Sequence, residues 1–336
     1  MSALPQDGTA PGAGMGPGTG MGPGMESGTE RGTERGMEPR VGAGSRSAAH
    51  RVRVAGPGDL EAARAVAAAA LTLDAAEAPA LVDRLAAPPA DRRWTALVTD
   101  GGVVMTSMSH KDPGLGHVDL LAVHPEARGE GRGRALVRAA EEWLRGQGAR
   151  EARFAGNPPC YAWPGVDVRY TPAACLAESL GYERYHVAWN MTADLGVDLS
   201  DSDDELARLA AAGVTLRAAG AGDRARLTAF VEEHWNERWA WEAANASGAH
   251  YAERDGRIIA FAAWGARPGW FGPMGTAEAA RGLGLGRVLL RRCLAEQRAA
   301  GQAESQIGWV GPLRFYSRAV GARAERVFWL YRRDLA

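Results

Sequence analysis

Lysine is almost missing from this chain. Of 39 basic residues Lys111 alone is a lysine, and since alanine and glycine are equally inflated, the bias reads as genome composition rather than chemistry. Cysteine is also scarce. Cys160, Cys175 and Cys293 are odd in number and widely spaced, which argues against a disulfide framework or a cysteine zinc site and fits reduced thiols in a cytoplasm. Cys293 falls in a helical apolar pattern and reads as core. Long apolar runs are lacking: a stretch such as Ala65 to Leu73 falls short of the roughly 20 residues of a spanning helix, so no membrane partner is expected. Neither charge sign dominates. With a formal net charge of -1, no whole-chain field draws the protein to nucleic acid. The seven histidines show no His-x-x-x-His spacing, so no metal is expected.

What remains is enough for two ordinary cores: 336 residues, 46% of them hydrophobic and 24% charged. Residues 1–48 are dominated by Gly, Met, Pro, Ser and Thr. Such a segment cannot bury enough apolar surface to offset its chain entropy, and it is expected to be a disordered tail. It lacks the basic start and apolar run of a secretory signal.

The rest repeats itself in order. Asp59 follows the strand-like Arg51–Val54 and Asp223 follows Val214–Arg217, each placed to cap the next helix. Asp100-Gly101-Gly102 and Asp255-Gly256 then mark hairpins. After each hairpin come an apolar strand (Val118–Val123, Phe271–Thr276), a Gly-rich turn and a long amphipathic helix. Each copy closes with a strand, a short helix, a glycine and terminal strands. We expect one domain over 49–195, an acidic linker over 196–211 and a second domain over 212–336.

The turn before each long helix carries the decisive signal. Arg128-Gly129-Glu130-Gly131-Arg132-Gly133 and Arg281-Gly282-Leu283-Gly284-Leu285-Gly286 both read Arg-x-x-Gly-x-Gly. Glycine allows close backbone approach, free amides at a helix start suit a pyrophosphate, and the arginine adds a charged donor. A dinucleotide-binding turn would follow a first strand with different glycine spacing, and a kinase-type phosphate loop would need Gly-Lys-Ser/Thr; neither fits.

On these motifs the chain resembles the GNAT acetyltransferase superfamily, in a tandem arrangement similar to that of the mycothiol synthase-like enzymes. The resemblance implies an α+β fold, each domain a mixed, mostly antiparallel sheet flanked by helices. It implies acetyl-CoA as co-substrate, the two loops as pyrophosphate sites, and backbone contacts to pantetheine from Leu121, Ala122 and Val123 and from Met274, Gly275 and Thr276. It implies a general acid at Tyr316, five residues before Gly321; the first copy has Leu176 five before Gly181. That asymmetry assigns catalysis to the second domain, although Tyr316 also reads as packing beneath the last strands.

The resemblance places the acceptor site at His234–Glu242, where Trp235 and Trp239 with Glu237 and Glu242 suit an ammonium and equally suit a Trp-rich core helix. His234, Glu237, Glu242 and Glu253 stand as candidate bases. The first copy is about 13 residues longer between its arginine and its last glycine, around Asn157–Asp167, a lid, a domain contact or a plain loop. The expected activity is N-acetylation of a small-molecule primary amine by direct transfer. Its rivals are a non-catalytic acyl-CoA-binding regulator and an enzyme acting on protein amines.

Overall fold

In a computed structural model, the described residues are 50–89 and 91–336; the expected tail over 1–48 lies outside them. The first half runs β1 (Arg53–Val54), α1 (Asp59–Ala70), α2 (Ala78–Ala86), β2 (Trp94–Thr99), β3 (Gly102–Met108), β4 (Leu115–Val123), α3 (Arg132–Gly146), β5 (Glu151–Phe154), β6 (Val166–Asp167), α4 (Thr171–Ser179) and β7 (Glu183–Asp194). Helix α5 (Asp203–Ala211) lies in the acidic stretch. The second half repeats the order as β8 (Thr215–Ala218), α6 (Arg224–His234), α7 (Glu237–Ala244), β9 (Gly248–Arg254), β10 (Arg257–Trp264), β11 (Trp270–Thr276), α8 (Leu285–Ala299), β12 (Glu304–Ile307), α9 (Leu313–Val320) and β13 (Arg323–Asp334).

Local chemistry explains most of these elements. Asp255 and Gly256 both have positive φ, 53° and 73°, as a two-residue hairpin turn between right-twisting strands requires. The two aspartates do not cap forward as expected. Asp59 Oδ2 accepts from the amide of Gly56 at 2.7 Å and Asp223 Oδ2 from that of Gly220 at 3.0 Å, because the preceding tight turn brings an amide closer than the helix start does. Asn236 is a forward cap, its side chain accepting from the amides of Arg238 and Trp239.

One sheet passes through both halves in the order β1-β2-β3-β4-β5-β13-β7-β12-β11-β10-β9-β8. Each half's fifth-position strand therefore pairs with the last strand of the other half. Tyr331 to Asp334 of β13 lie against β5, and Thr192 and Ala193 of β7 lie against β12. Strands β7 and β13 pair antiparallel at the centre. A core fills each sheet face of each half. Helix α3 covers one face of the first half and α1 and α2 the other, while α8 and the α6–α7 pair do the same in the second.

Among the described residues no helix is long and apolar enough to cross a membrane. The buried Arg326 of β13 donates to Asp167 and Asp74 of the first half at 2.9 Å each. Two reciprocal ion pairs add to this, Arg267 with Glu77 at 2.9 Å and Lys111 with Glu237 at 3.1 Å.

Candidate active site

The two Gly-rich turns have nearly the same backbone. Gly129 and Gly131 have φ of 82° and 91°, Gly282 and Gly284 of 85° and 83°, a region that an L side chain adopts only under strain. The third glycine serves packing instead. A Cβ on Gly133 would sit 3.0 Å from Leu176, and one on Gly286 3.3 Å from Phe315. Helices α3 and α8 each start at the turn with amides that no intrahelical carbonyl satisfies, and a 15-residue helix adds its positive dipole end. Anions bind such ends. Around Gly129, Gly131 and Gly282 no atom lies within 4 Å of where a Cβ would be, so these turns leave room for a phosphate.

The leading arginine was expected to face that phosphate. In the first half its guanidinium instead ties the turn down, donating to the carbonyls of Val123 at 3.1 Å and Ala70 at 3.0 Å. Arg281 lies 3.6 Å from Glu278.

Beside each turn the sheet opens. Pairing of β4 with β5 ends at His117↔Arg153, and pairing of β11 with β12 covers Trp270↔Gln306 and Phe271↔Ile307 alone. Leu121–Val123 and Met274–Thr276 therefore keep a strand partner on one side only, leaving an edge that an extended, amide-bearing ligand can pair with. A bulge falls at Asp119 in β4 and around Gly272 and Pro273 in β11, each just before the free edge.

The halves differ most at this opening. Tyr316 on α9 is 8% exposed, edge-on to Phe315 at 5.0 Å and to Phe271 at 6.3 Å, and Phe271 is the residue at which β11 leaves β12. Burial raises its phenol well above the ordinary value. Among the described residues its hydroxyl makes no hydrogen bond. In the first half Leu176 packs on Gly133 as Phe315 packs on Gly286, so the buried Ala177 stands where Tyr316 does, one residue on from the position found by counting back from Gly181. Neither residue carries a hydroxyl.

The bulge shows the reverse difference. Asp119 and Gly272 both lie nine residues ahead of the loop arginine. Burial pushes the Asp119 carboxyl up to about 7, against the pull of Ser107 and Arg92, and its Oδ1 has no partner among the described residues. Sequence reading missed this residue. Its signal is one acidic side chain inside an apolar strand.

The acceptor-side candidates separate clearly. Trp235 lies against Gly275, stacks on Trp239 at 5.9 Å and meets Phe261 edge-on at 5.3 Å, so both indoles pack on the second half's core. Glu237 is held below the usual carboxylate range by its own backbone amide and by Lys111. Glu253 is paired with Arg226 at 3.2 Å, and the His234 ring lies tilted against Phe230 at 4.5 Å. Glu242 stands apart. Desolvation pushes its carboxyl up to about 7 despite Arg84 and Arg238 nearby, and among the described residues it has neither a hydrogen bond nor an ion pair.

The longer loop of the first half does two things. Cys160 and Ala162 pack onto the α1–α2 face of the first half's sheet, and the buried Arg92 holds the carbonyls of Asn157, Pro158 and Cys160. Its tip crosses to the second half, where Tyr161 meets Trp309 at 5.5 Å and Arg267 donates to the Ala162 carbonyl. Burial and the neighbouring Glu242 raise the Tyr161 phenol.

Two strand openings, each beside a Gly-rich turn at a helix start, suit an acyl-CoA donor, and the acetyltransferase (GNAT) family pattern matches residues 69–162 and 222–320. The chain belongs to that family and is an N-acetyltransferase built of two GNAT regions. It is 32% identical over 222 residues to a mycothiol acetyltransferase from Thermomonospora curvata, covering 60% of this chain and 68% of the relative. A mycothiol acetyltransferase from Frankia alni is 32% identical over 216 residues, covering 54% of this chain and 60% of the relative. A tandem GNAT protein from the clavulanic acid biosynthesis pathway shares the fold with a TM-score of 0.62 at 18% identity, covering 85% of this chain and 98% of that one.

Proposed function

We propose that the protein moves the acetyl group of acetyl-CoA to a primary amine of a small molecule, that the second half performs the transfer, and that both halves bind the donor. The observation that carries this reading is Tyr316, a buried tyrosine whose hydroxyl makes no hydrogen bond among the described residues, beside the opening of the second half and replaced by Ala177 in the first. The small-molecule acceptor is supported by relatives named for mycothiol. A cytoplasmic location is supported by three free cysteines.

The turn amides at Gly282–Gly286 hold the donor's diphosphate, and the free edge at Met274–Thr276 pairs with its pantetheine arm. An alkylammonium reaches its free-base form at neutral pH only at a cost of about 4–5 kcal/mol. Glu242 offsets part of that cost by taking a nitrogen proton. The nitrogen then bonds to the acetyl carbon while the carbon–sulfur bond breaks. Tyr316, kept protonated by burial, gives its proton to the departing thiolate and is restored by the second nitrogen proton.

A panel of amines, amino sugars and peptides, assayed with acetyl-CoA for release of free thiol, tests the reading. Turnover with a small amine is expected. Donor binding without turnover on any amine would reduce the protein to a binding module, and turnover on peptides alone would move the acceptor class.

A further inference from the structure

The acidic stretch between the halves does more than connect them. Glu205 of α5 accepts from Arg291 of α8 and forms an ion pair with Arg287, and Asp201 accepts from Arg292 at 2.8 Å. Leu209 of α5 is buried in the same core as Leu285, Val288 and Leu289. Docked in this way, α5 brings Arg208 onto the second donor turn. Its guanidinium donates to the Leu283 carbonyl at 2.9 Å and lies 3.2 Å from where a Cβ on Gly284 would be. In the first half the matching carbonyl, that of Glu130, bonds to His50 Nε2 at 2.6 Å. The same turn position is thus clasped in both halves by a side chain preceding the half's first strand. Only the second half uses a guanidinium.

We propose that Arg208 is a phosphate-recognition residue of the second half's donor site, adding a permanent cation to the turn amides that receive the diphosphate. The proposal rests on the donor reading above. A guanidinium has five donors in a fork suited to phosphate and stays charged at any working pH. One donor is taken by Leu283, and among the described residues no carboxylate pairs with Arg208, so charge and donors remain available. The turn's own Arg281 shares its charge with Glu278. Tying down the Leu283 carbonyl also satisfies a negative oxygen dipole that would otherwise repel the anion.

The test is CoA binding by calorimetry over a range of salt concentrations. The full chain carries Gly131→Asp to silence the first turn, with Arg208 intact, Arg208→Gln or Arg208→Lys. Loss of one charged hydrogen bond should weaken CoA about tenfold in Arg208→Gln and flatten the salt dependence; Arg208→Lys should recover much of both. Unchanged affinity would overturn the proposal, as would tighter binding, which would make the arginine a plug. Weaker binding with the original salt slope would overturn it too, by making Arg208 a prop for the turn. Arg208-dependent CoA binding in a protein that acetylates no amine would leave this proposal standing and remove acetyl transfer instead.

Discussion

The two halves share a backbone plan and differ in the side chains beside each strand opening. At the bulge before the free strand edge, the first half has the buried carboxyl of Asp119 and the second has Gly272. On the last helix the second half has Tyr316 and the first has Ala177. The first half also carries the longer loop, which packs Cys160 and Ala162 onto its sheet face, while the second half leaves Glu242 without a partner. Keeping a donor turn costs a repeat little, because left-handed glycines and a helix start suffice. Keeping a reacting centre requires unpaired polar groups held in buried places, a net cost to folding. On the proposed reading the first half has packing in their place, with Ala177 on its last helix and Asp119 as the one unpaired group kept at its bulge.

The largest expected effect separates the turns. Gly284→Asp puts a carboxylate and a strained φ at the proposed diphosphate site of the second half, and should abolish thiol release; Gly131→Asp should spare it. Calorimetry on the unaltered chain should show two CoA sites, each variant losing one. Loss of turnover with Gly131→Asp alone would reverse the roles of the halves.

Next is Tyr316→Phe, which removes one oxygen and should slow transfer about 10²-fold or more with CoA affinity nearly unchanged. A Tyr316 that only packs would give lower thermal stability and normal turnover.

Glu242 has a pH signature. With its carboxyl pushed up to about 7, kcat/KM should rise about tenfold per pH unit below that value and level above it. Glu242→Gln should remove this limb. An unchanged profile would exclude Glu242 as base.

The smallest effect concerns Asp119. Its folded-state pKa of about 7 lies above the unfolded value, so its contribution to stability is fully present below about pH 4 and is lost as pH rises through about 7. Asp119→Asn cannot ionise and should gain thermal stability over the native chain between about pH 5 and pH 8, with turnover within about twofold. A collapse of turnover would give the first half a catalytic role.

Much of this comparison is written in short stretches of chain. Turns, hairpins and long helices are local, so Arg128–Gly133, Arg281–Gly286 and Asp255-Gly256 can be read from their own residues. The absence of a hydroxyl at the Tyr316 position of α4 is legible too, although Leu176 and Ala177 trade places once the packing of Gly133 is seen. Less accessible are properties set by what surrounds a residue. Glu237, Glu242 and Glu253 look equivalent in sequence, and burial with or without a cation partner separates them. Asp119 is one letter in an apolar strand until its burial is known. Arg208 looks like part of a charged linker until α5 is docked on α8. The crossing of the last strands is least visible, because pairing partners more than a hundred residues apart leave no local mark.

That crossing sets an order on assembly during synthesis. Tyr331 is fully buried in the first half's core, where its hydroxyl donates to Glu178 at 2.9 Å, and Arg333 reaches the buried Glu141 at 2.9 Å. The half that leaves the ribosome first therefore waits with an open edge on β5 until residues 323–334 emerge, and open strand edges invite pairing with other chains. Premature termination within β13 would injure the far end of the molecule, leaving α8 and its donor turn formed while the earliest-made sheet stays unclosed.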